Sequence, residues 1–240
     1  MIRLFHPEAL RAGERVLLAA GAARHAQVLR LQPGDDLLLF DGLGGEWSAR
    51  VARMGRSDVE VAVQEHLARE AEAAREVTLA LAMPTNERMD FVIEKCTELG
   101  VARVVPLIST RSVLRLDGPR AQRKQAHWQA IAVAACEQSG RNRVPRIEAV
   151  DRLASFAPSV AKGSTRIVLS TGAPATALAT LLAAQGDAPV TLLVGPEGGF
   201  TPEEERSLRE AGWLAASLGP RVLRADTAAL LAVGIAALEA

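Results

Sequence analysis

Short stretches in which apolar and polar residues alternate occupy roughly the first 70 positions of the chain. They predict strands at Arg15 to Leu18, Leu37 to Phe40, Glu46 to Met54 and Asp58 to Gln64. A longer run from Ala22 to Leu31 predicts one helix after the first of these strands. Several short strands with a single helix predict a small β-barrel domain.

The pattern changes after a segment rich in alanine, glutamate and arginine, His66 to Glu76, which has no apolar stripe. We place a domain boundary in this segment and expect domains at 1–72 and 73–240. Beyond it, apolar runs of strand length alternate with segments of helical period. The predicted strands are Val77 to Met83, Val101 to Leu107, Arg166 to Leu169, Val190 to Val194 and Leu214 to Leu218.

The segments between these runs predict helices. Glu87 to Leu99 places Met89, Val92, Ile93 and Cys96 on one face, and Gly100 follows as the residue that ends the helix. The other predicted helices are Pro119 to Ser139, Ala175 to Ala184, one beginning after Thr201, and Ala225 to the end of the chain. Regular alternation of strand and helix predicts an α/β domain with a parallel sheet that helices cover on both faces.

Charge is balanced over the whole chain but not along it. The 28 Lys and Arg residues equal the 28 Asp and Glu residues. From Arg103 to Arg146 there are nine Lys or Arg and two acids, whereas Asp187 to Glu210 holds six acids and two arginines. A local basic surface on a neutral molecule favours selective binding of nucleic acid, and a solvated helix face is the alternative.

The two cysteines, Cys96 and Cys136, lie in apolar helical patterns without the companion spacing of a zinc site. We therefore expect buried free thiols, no metal, and a reducing cytoplasmic location. Met1 to Leu10 contains no long apolar run, and no apolar span of 18 residues occurs elsewhere, so we expect no association with a membrane.

Two glycine-rich turns follow consecutive predicted strands near the C-terminus. The first, Gly195 to Gly199, precedes Thr201, which is placed to cap a helix with Glu204 three residues later. The second follows Leu218, and Asp226 opens the last helix. Ligands of open α/β sheets bind beyond the carboxyl ends of the strands, so these turns are expected to form one pocket. An ordinary tight turn is the alternative for each loop taken alone.

These two stretches, GPEGGF at Gly195 to Phe200 and LGPRVLRADTA at Leu218 to Ala228, resemble the SPOUT class of S-adenosylmethionine-dependent RNA methyltransferases. Within that class the chain most resembles the 16S ribosomal RNA uracil-N3 methyltransferase family (RsmE), and the likeness extends over nearly the whole sequence. Short motifs similar to those of the family also occur upstream, at Val28 to Leu31, Gly34 to Asp35, Phe40 to Gly42, Arg88 to Asp90, Glu94 to Val101, Pro106 to Leu107, Arg111 to Val113 and Glu137 to Arg141.

The resemblance implies a C-terminal SPOUT domain with a parallel sheet and a trefoil knot, a PUA-like β-barrel domain at the N-terminus, and a homodimer. It also implies that three strand-end loops bind S-adenosylmethionine. The cofactor-binding residues expected on this basis are Ser170, Thr171, Gly172, Gly195, Pro196, Glu197, Gly198, Gly199, Leu218, Gly219, Arg221, Val222, Leu223 and Thr227.

Two residues after the second loop are the expected catalytic ones. Uracil N3 carries a proton in the neutral base, so a cation that stabilises the anion and a base that removes the proton would both assist. Arg224 is the candidate cation, and Asp226 or Glu197 the candidate base. Asp226, where the family more often has glutamate, has helix capping as its alternative role, and Glu197 has orientation of the glycine turn.

The expected partner is 16S ribosomal RNA or the small ribosomal subunit. The residues expected to contact this RNA are Arg3, Arg24, Arg30, Arg111, Arg141, Asn142 and Arg143. Two other classes of protein stay open at this stage. One is a noncatalytic RNA-binding or ribosome-assembly factor, and the other is a phosphate-binding α/β enzyme, which the acids beside Gly195 to Gly199 disfavour. A methyltransferase of the same fold acting on another nucleotide is a further alternative.

Overall fold

The computed structural model describes residues 1–161, 163–172 and 174–238, and the chain divides into two compact units. The first unit contains Met1–Glu72 together with Cys136–Val144, and the second contains Ala73–Ala135 and Pro145–Ala240. The sequence analysis assigned all of 73–240 to one domain, whereas Cys136–Val144 belongs to the first unit. The reason is a set of ion pairs and hydrogen bonds that a local sequence pattern does not reveal.

The first unit is a five-stranded sheet with one helix. Its elements are β1 Arg3–Phe5, β2 Arg15–Leu17, α1 Ala20–Val28, β3 Asp36–Phe40, β4 Glu46–Met54 and β5 Val59–Leu67. The strand order is β1-β3-β4-β5-β2, with β1 parallel to β3 and the other pairs antiparallel. Alternate residues such as Leu37, Leu39, Val61 and Val63 are buried, as a sheet with one covered face requires. The sequence analysis missed β1, which is only three residues long.

The second unit is an all-parallel eight-stranded sheet with flanking helices. Its strands are β6 Val77–Ala82, β7 Arg103–Ile108, β8 Arg146–Ile147, β9 Asp151–Arg152, β10 Thr165–Leu169, β11 Thr176–Ala177, β12 Val190–Val194 and β13 Leu214–Ser217. Its helices are α2 Asn86–Glu98, α4 Leu153–Ser159, α5 Leu178–Ala183, α6 Pro202–Glu210 and α7 Ala225–Leu238, and α3 Gly118–Ser139 begins here. The predicted parallel α/β architecture is confirmed.

The helices and strands that differ from the predicted ones are all short. Strands β8 and β9 have two residues each, too few for a period to show, and α4 contains Pro158, which masks its helical pattern. The helix predicted from Ala175 begins at Leu178, because Thr176 and Ala177 pair with β13 instead.

The large sheet has the order β11-β13-β10-β12-β6-β7-β8, with β9 also paired to β7, so the four strands β10 to β13 fill one half of it. Strands β6 and β12 at its centre are buried at every position, which is typical of parallel strands with both faces covered. Ala80, Ala82 and Leu193 face a core that includes Phe156 of α4 and Leu208 of α6. On the opposite face α7 contacts β6, β12 and α2.

Arg75, just before β6, is a buried arginine that connects helix ends of the second unit. Its guanidinium donates to the carbonyl oxygen of Ala236 in α7 at 3.2 Å, to that of Leu182 in α5 at 3.4 Å, and to that of Gly186. Carbonyl groups at helix C-termini lack intrahelical donors and carry partial negative charge, so a buried cation is well placed there. Arg75 therefore fixes the ends of α5 and α7 against the sheet.

Candidate active site

A cleft of about 670 Å³ opens where β10, β12 and β13 end. These three strands are neighbours in the sheet, and all run in the same direction. Their carboxyl ends carry the loops Ser170 to Gly172, Gly195 to Phe200 and Leu218 to Arg224, which line the cleft together with the start of α7. Strand-end loops of an open parallel sheet are the usual place for a ligand, and here three of them meet.

Glycines keep two walls of the cleft free of side chains. Gly199 has φ +64° and Gly219 has φ +106°, conformations that L side chains rarely adopt. A Cβ placed on either residue would meet no heavy atom within 4 Å, so it would enter open space beside the cleft that both residues line. Gly195 differs, because a Cβ there would lie 3.2 Å from the ring of Phe200. Its role is close packing of the loop beneath the cleft.

The loop after β12 is fixed at both ends. Thr201 and Glu204 form a reciprocal capping box at the start of α6, as predicted from the sequence. Glu204 also accepts the backbone N–H of Thr110 at 2.8 Å. Arg111 donates to the carbonyl oxygen of Gly198 at 2.7 Å and to that of Phe200 at 3.3 Å. The segment after β7 therefore holds the glycine loop in place, because the side chain of Arg111 bonds to two backbone carbonyl groups of the loop.

The two expected catalytic residues take different positions. Arg224 is exposed and lines the cleft, and no other described side chain forms an ion pair with its guanidinium. Its carbonyl oxygen accepts the N–H of Ala228 at 2.8 Å, so the last helix begins immediately after it. Asp226 therefore lies within the first turn rather than at the cap, and it is not among the residues that line the cleft. Glu197 does line it.

Nearly all of the expected cofactor-binding residues surround this one cleft. Those that line it are Ser170, Thr171, Gly172, Gly195, Pro196, Glu197, Gly198, Gly199, Leu218, Gly219, Arg221, Val222 and Leu223. Thr227 does not line it, and its backbone N–H donates to the carboxylate of Asp226 at 2.8 Å. The sequence analysis missed Phe200, Glu205 and Ala228, which also line the cleft. Ala228 lies one helical turn after Ala225, so helical periodicity would have predicted that both residues face the cleft.

The sequence analysis also missed Arg88, in the first turn of α2. Its guanidinium lies 3.3 Å from Oε1 of Glu197 and 3.8 Å from Oδ2 of Asp226, so it joins two of the acids singled out above. The available signal was its place in Arg88 to Asp90, one of the stretches that resemble the family, whereas its contact with the loop after β12 depends on the pairing of β6 with β12.

Three of the expected RNA contacts lie in the interior of the first unit. Arg3 donates to Glu46 at 2.6 Å and to Oδ1 of Asn142 at 2.7 Å, and its side chain is 8% exposed. Arg141 is buried and paired with Glu72, and Asn142 is fully buried. Buried ion pairs of this kind hold Cys136–Val144 in place, and removing one partner costs about 3–5 kcal/mol. We therefore reassign Arg3, Arg141 and Asn142 from RNA contact to stabilisation of the first unit.

The remaining expected RNA contacts are exposed. Arg24 and Arg30 are exposed on α1 and just after it, and Arg143 is 56% exposed beside Glu70. Arg111, in the second unit, is exposed although its guanidinium also contacts the glycine loop. Contact of these four residues with RNA stays a prediction.

Both cysteines are buried, and neither lines the cleft. Burial raises the pKa of the Cys96 thiol, and desolvation raises that of Cys136 to about 12, so neither is a ready thiolate. Within residues 1–161, 163–172 and 174–238 no group of three His, Cys, Asp or Glu side chains is placed to hold a metal ion. Over the same residues no helix has the length and apolarity to cross a membrane.

The chain thus combines a parallel sheet that has glycine loops around one cleft with a separate small strand-rich unit. Residues 71–237 match the family model described as RNA methyltransferase domain, and residues 18–64 match the RNA methyltransferase PUA domain. The chain is 34% identical over 213 residues to the ribosomal RNA small subunit methyltransferase E of Mycobacterium tuberculosis, covering 87% of this chain and 80% of that protein. The chain belongs to the ribosomal RNA small subunit methyltransferase E family.

Solved structures agree with this assignment. The crystal structure of ribosomal RNA small subunit methyltransferase E from Neisseria gonorrhoeae, bound to S-adenosyl methionine, has a TM-score of 0.90 and 34% identity, covering 97% of this chain and 95% of that one. A putative methyltransferase from Legionella pneumophila, in complex with the same cofactor, has a TM-score of 0.91 and 34% identity, covering 98% and 96%.

Proposed function

We propose that this protein transfers the methyl group of S-adenosylmethionine to N3 of a uridine in the 16S ribosomal RNA of the small subunit. The observation that carries the proposal is the single cleft formed by the loops after β10, β12 and β13, with side-chain-free walls at Gly199 and Gly219. Relatives of the chain bear the name ribosomal RNA small subunit methyltransferase E, and similar structures are bound to this cofactor. The proposal places the enzyme in the cytoplasm, with the ribosomal RNA.

The residues of the cleft fit S-adenosylmethionine, whose sulfonium supplies an electrophilic methyl group. The volume of about 670 Å³ lies in the range typical of small-molecule sites. Backbone N–H and C=O groups of the three loops are available to an adenine edge, because glycines allow close approach. Two acids, Glu197 and Glu205, and two arginines, Arg221 and Arg224, line the cleft, so it offers a polyphosphate no excess of positive charge.

At the acceptor, the proposal assigns separate roles to Arg224 and Glu197. N3 attacks after it has lost its proton, and the anion formed by that loss carries negative charge on the flanking carbonyl oxygens until the methyl group is transferred and the thioether leaves. Arg224, exposed at the cleft, would stabilise this charge by hydrogen bonding. Glu197 lines the cleft whereas Asp226 does not. We therefore assign removal of the N3 proton to Glu197 and a supporting role to Asp226.

The positions of the cysteines favour a nitrogen or oxygen acceptor over a pyrimidine carbon. Methylation at a pyrimidine carbon needs a nucleophile, such as a thiolate, that adds to the ring and makes the carbon electron-rich. Cys96 and Cys136 are buried away from the cleft. Uridine N3 needs only deprotonation, which the residues at the cleft can assist.

Calorimetric titration of the purified protein with S-adenosylmethionine and, separately, with ATP tests the cofactor assignment. We expect saturable binding of S-adenosylmethionine and much weaker binding of ATP, because the acids that line the cleft offset its two arginines. Tighter binding of ATP than of S-adenosylmethionine would identify a nucleotide-binding enzyme instead.

RNA binding by the first unit is tested at Arg30, which follows α1 with φ +58°. This left-handed conformation favours glycine and costs another residue about 1–2 kcal/mol. Arg30→Gly should therefore raise stability, or leave it unchanged, while it weakens RNA binding and lowers the salt slope by about one counterion. Arg30→Ala should weaken RNA binding equally without the gain in stability. Thermal melts and salt-dependent filter binding measure both, and unaltered RNA affinity would remove Arg30 from the RNA surface.

A homodimer is the proposed assembly, with α7 in the interface. Leu231 and Leu238 of α7 are 42% and 81% exposed, and Phe91 of the adjacent α2 is 45% exposed. Apolar side chains clustered at a surface are typical of interfaces. Leu231→Asp should give monomers in light scattering, whereas Leu43→Asp, at an exposed leucine of the first unit, should leave the dimer intact. A parent protein that is monomeric at micromolar concentration would exclude the dimer.

A further inference from the structure

We propose that Arg88 is a positioning residue for methyl transfer, because it holds Glu197 of the glycine loop and Asp226 of the last helix in one ion-pair network beside the cleft. The inference rests on the proposed function, since it concerns the geometry of the same site. Arg88 does not line the cleft itself, so it acts through the two acids.

The geometry places one cation between two acids from separate segments. Nη1 of Arg88 lies 3.3 Å from Oε1 of Glu197, and Nε lies 3.8 Å from Oδ2 of Asp226. The three side chains are only 33%, 29% and 17% exposed, respectively, so solvent screens their charges incompletely. Two carboxylates that share one guanidinium are close enough to repel each other when it is removed.

Each acid belongs to a different segment that borders the cleft, although only Glu197 lines it. Glu197 lies in the loop after β12, and Asp226 lies in the first turn of α7, directly after the loop that follows β13. Repulsion between these acids would move the two segments apart. Arg111 holds the same loop from the other side, through the carbonyl oxygens of Gly198 and Phe200. Arg88 is thus the contact that joins the loop to the last helix.

The position of Arg88 in its own helix supports a role beyond stability. The first turn of an α-helix favours negative charge, and Glu87 satisfies this preference. Arg88, in the same turn, opposes it. A residue that is unfavourable for its own element while it pairs with groups of a ligand cleft indicates selection for the cleft.

Solvent still reaches about a third of the Arg88 side chain, and ion pairs that solvent reaches contribute little to folding, so loss of Arg88 should affect geometry more than stability. A small displacement of groups around a reacting centre lowers a rate by up to about a hundredfold. Arg88→Ala should therefore reduce kcat by about tenfold or more, with the KM for S-adenosylmethionine changed by less than about threefold. Arg88→Lys should restore part of the rate, because one ammonium reaches only one of the two acids well.

Lys95 provides a matched control on the same helix. It also pairs with two acids, Glu94 and Glu98, each at 2.7 Å, and none of the three lines the cleft. Lys95→Ala should leave kcat unchanged. If both variants lose the same fraction of activity, the effect belongs to α2 in general, and the positioning role is rejected.

Hydrogen–deuterium exchange of the protein without cofactor and without RNA gives a readout independent of activity. The N–H of Gly199 donates to the carbonyl oxygen of Pro196 at 2.8 Å within the glycine loop. Arg88→Ala should speed exchange in residues 195–200 and in the first turn of α7 by about tenfold, whereas Lys95→Ala should not. Unchanged exchange in both segments would overturn the inference even if the parent protein methylates RNA.

A double-mutant cycle with Asp226→Asn completes the test. The asparagine keeps an acceptor for the N–H of Thr227 but loses the charge that pairs with Arg88. The double variant should be no slower than Arg88→Ala, within about twofold, because both changes break one network. If the rate losses of the two single variants multiply in the double variant, Arg88 acts independently of Asp226. A parent protein without methyl transfer to RNA refutes the proposed function, whereas a fully active Arg88→Ala variant refutes only the role of Arg88.

Discussion

Gly199→Val is expected to abolish measurable binding of S-adenosylmethionine. Gly199 lines the cleft, and the Cβ of the new residue would enter open space beside it, into which the two methyl groups would extend further. We expect affinity to fall by about a hundredfold or more, equivalent to about 2.8 kcal/mol. Calorimetric titration measures this loss directly.

Backbone strain is the competing cause, because Gly199 has φ +64° and a β-branched residue there costs about 1–3 kcal/mol. Gly186→Val controls for it. Gly186 has φ +55°, its Cβ would also meet no atom within 4 Å, and it does not line the cleft. The control should show a comparable loss of thermal stability and unchanged cofactor affinity. Cofactor affinity in Gly199→Val equal to that of the parent would show that this loop does not bind the cofactor.

Arg224→Ala is expected to reduce turnover by about a hundredfold or more while cofactor affinity stays nearly intact, as is typical when one donor to developing charge is removed. The side chain is exposed at the cleft without an ion-pair partner among the described residues, so its removal should not destabilise the fold. Arg224→Lys keeps the charge without the planar fork and should retain partial activity. Single-turnover rates and thermal melts on both variants measure the two effects separately.

Arg206→Ala is the control for general loss of positive charge. Arg206 is exposed on α6 and does not line the cleft, so its variant should bind RNA slightly less well and turn over at the parental rate. The alternative is that Arg224 stabilises the start of α7. An early melt of Arg224→Ala, with cofactor binding lost in proportion to activity, would support that alternative and contradict a catalytic role.

The glycine loop and the helix after it show what a local pattern can predict. Thr201 and Glu204 are three residues apart, and their reciprocal hydrogen bonds are confirmed. Gly100 is confirmed as the residue that ends α2. It has φ +100°, and its N–H donates to the carbonyl oxygen of Thr97. In each case the chemistry depends on residues within one turn of each other, so spacing alone suffices.

The arginines of the first unit show where local patterns fail. Arg3 and Asn142 are far apart in sequence but joined at 2.7 Å, and nothing near either residue indicates the other. An arginine beside a short strand has the same local pattern whether it contacts solvent, RNA or a buried glutamate. The trefoil knot is a similar case, because threading depends on the order in which distant segments pass one another. It stays a prediction from the family resemblance.

Arg88 illustrates the same limit within the active site. Its helix was predicted almost to the residue, and its neighbours Glu197 and Asp226 were both singled out for chemistry. The connection among them requires the order of the sheet, in which β6 lies beside β12. Parallel strands that are distant in sequence become neighbours only through tertiary structure, so their end loops cannot be paired from the sequence alone.

The central claim is methyl transfer to N3 of a uridine in 16S ribosomal RNA, and analysis of the modified nucleoside tests it most directly. Small ribosomal subunits from cells that lack this protein are incubated with the purified protein and S-adenosylmethionine carrying an isotope-labelled methyl group. The RNA is then digested to nucleosides and examined by mass spectrometry. We predict label in 3-methyluridine from one position of the 16S RNA, and none with the Gly199→Val variant. Label in a different nucleoside, or label absent although the cofactor binds, would contradict the account.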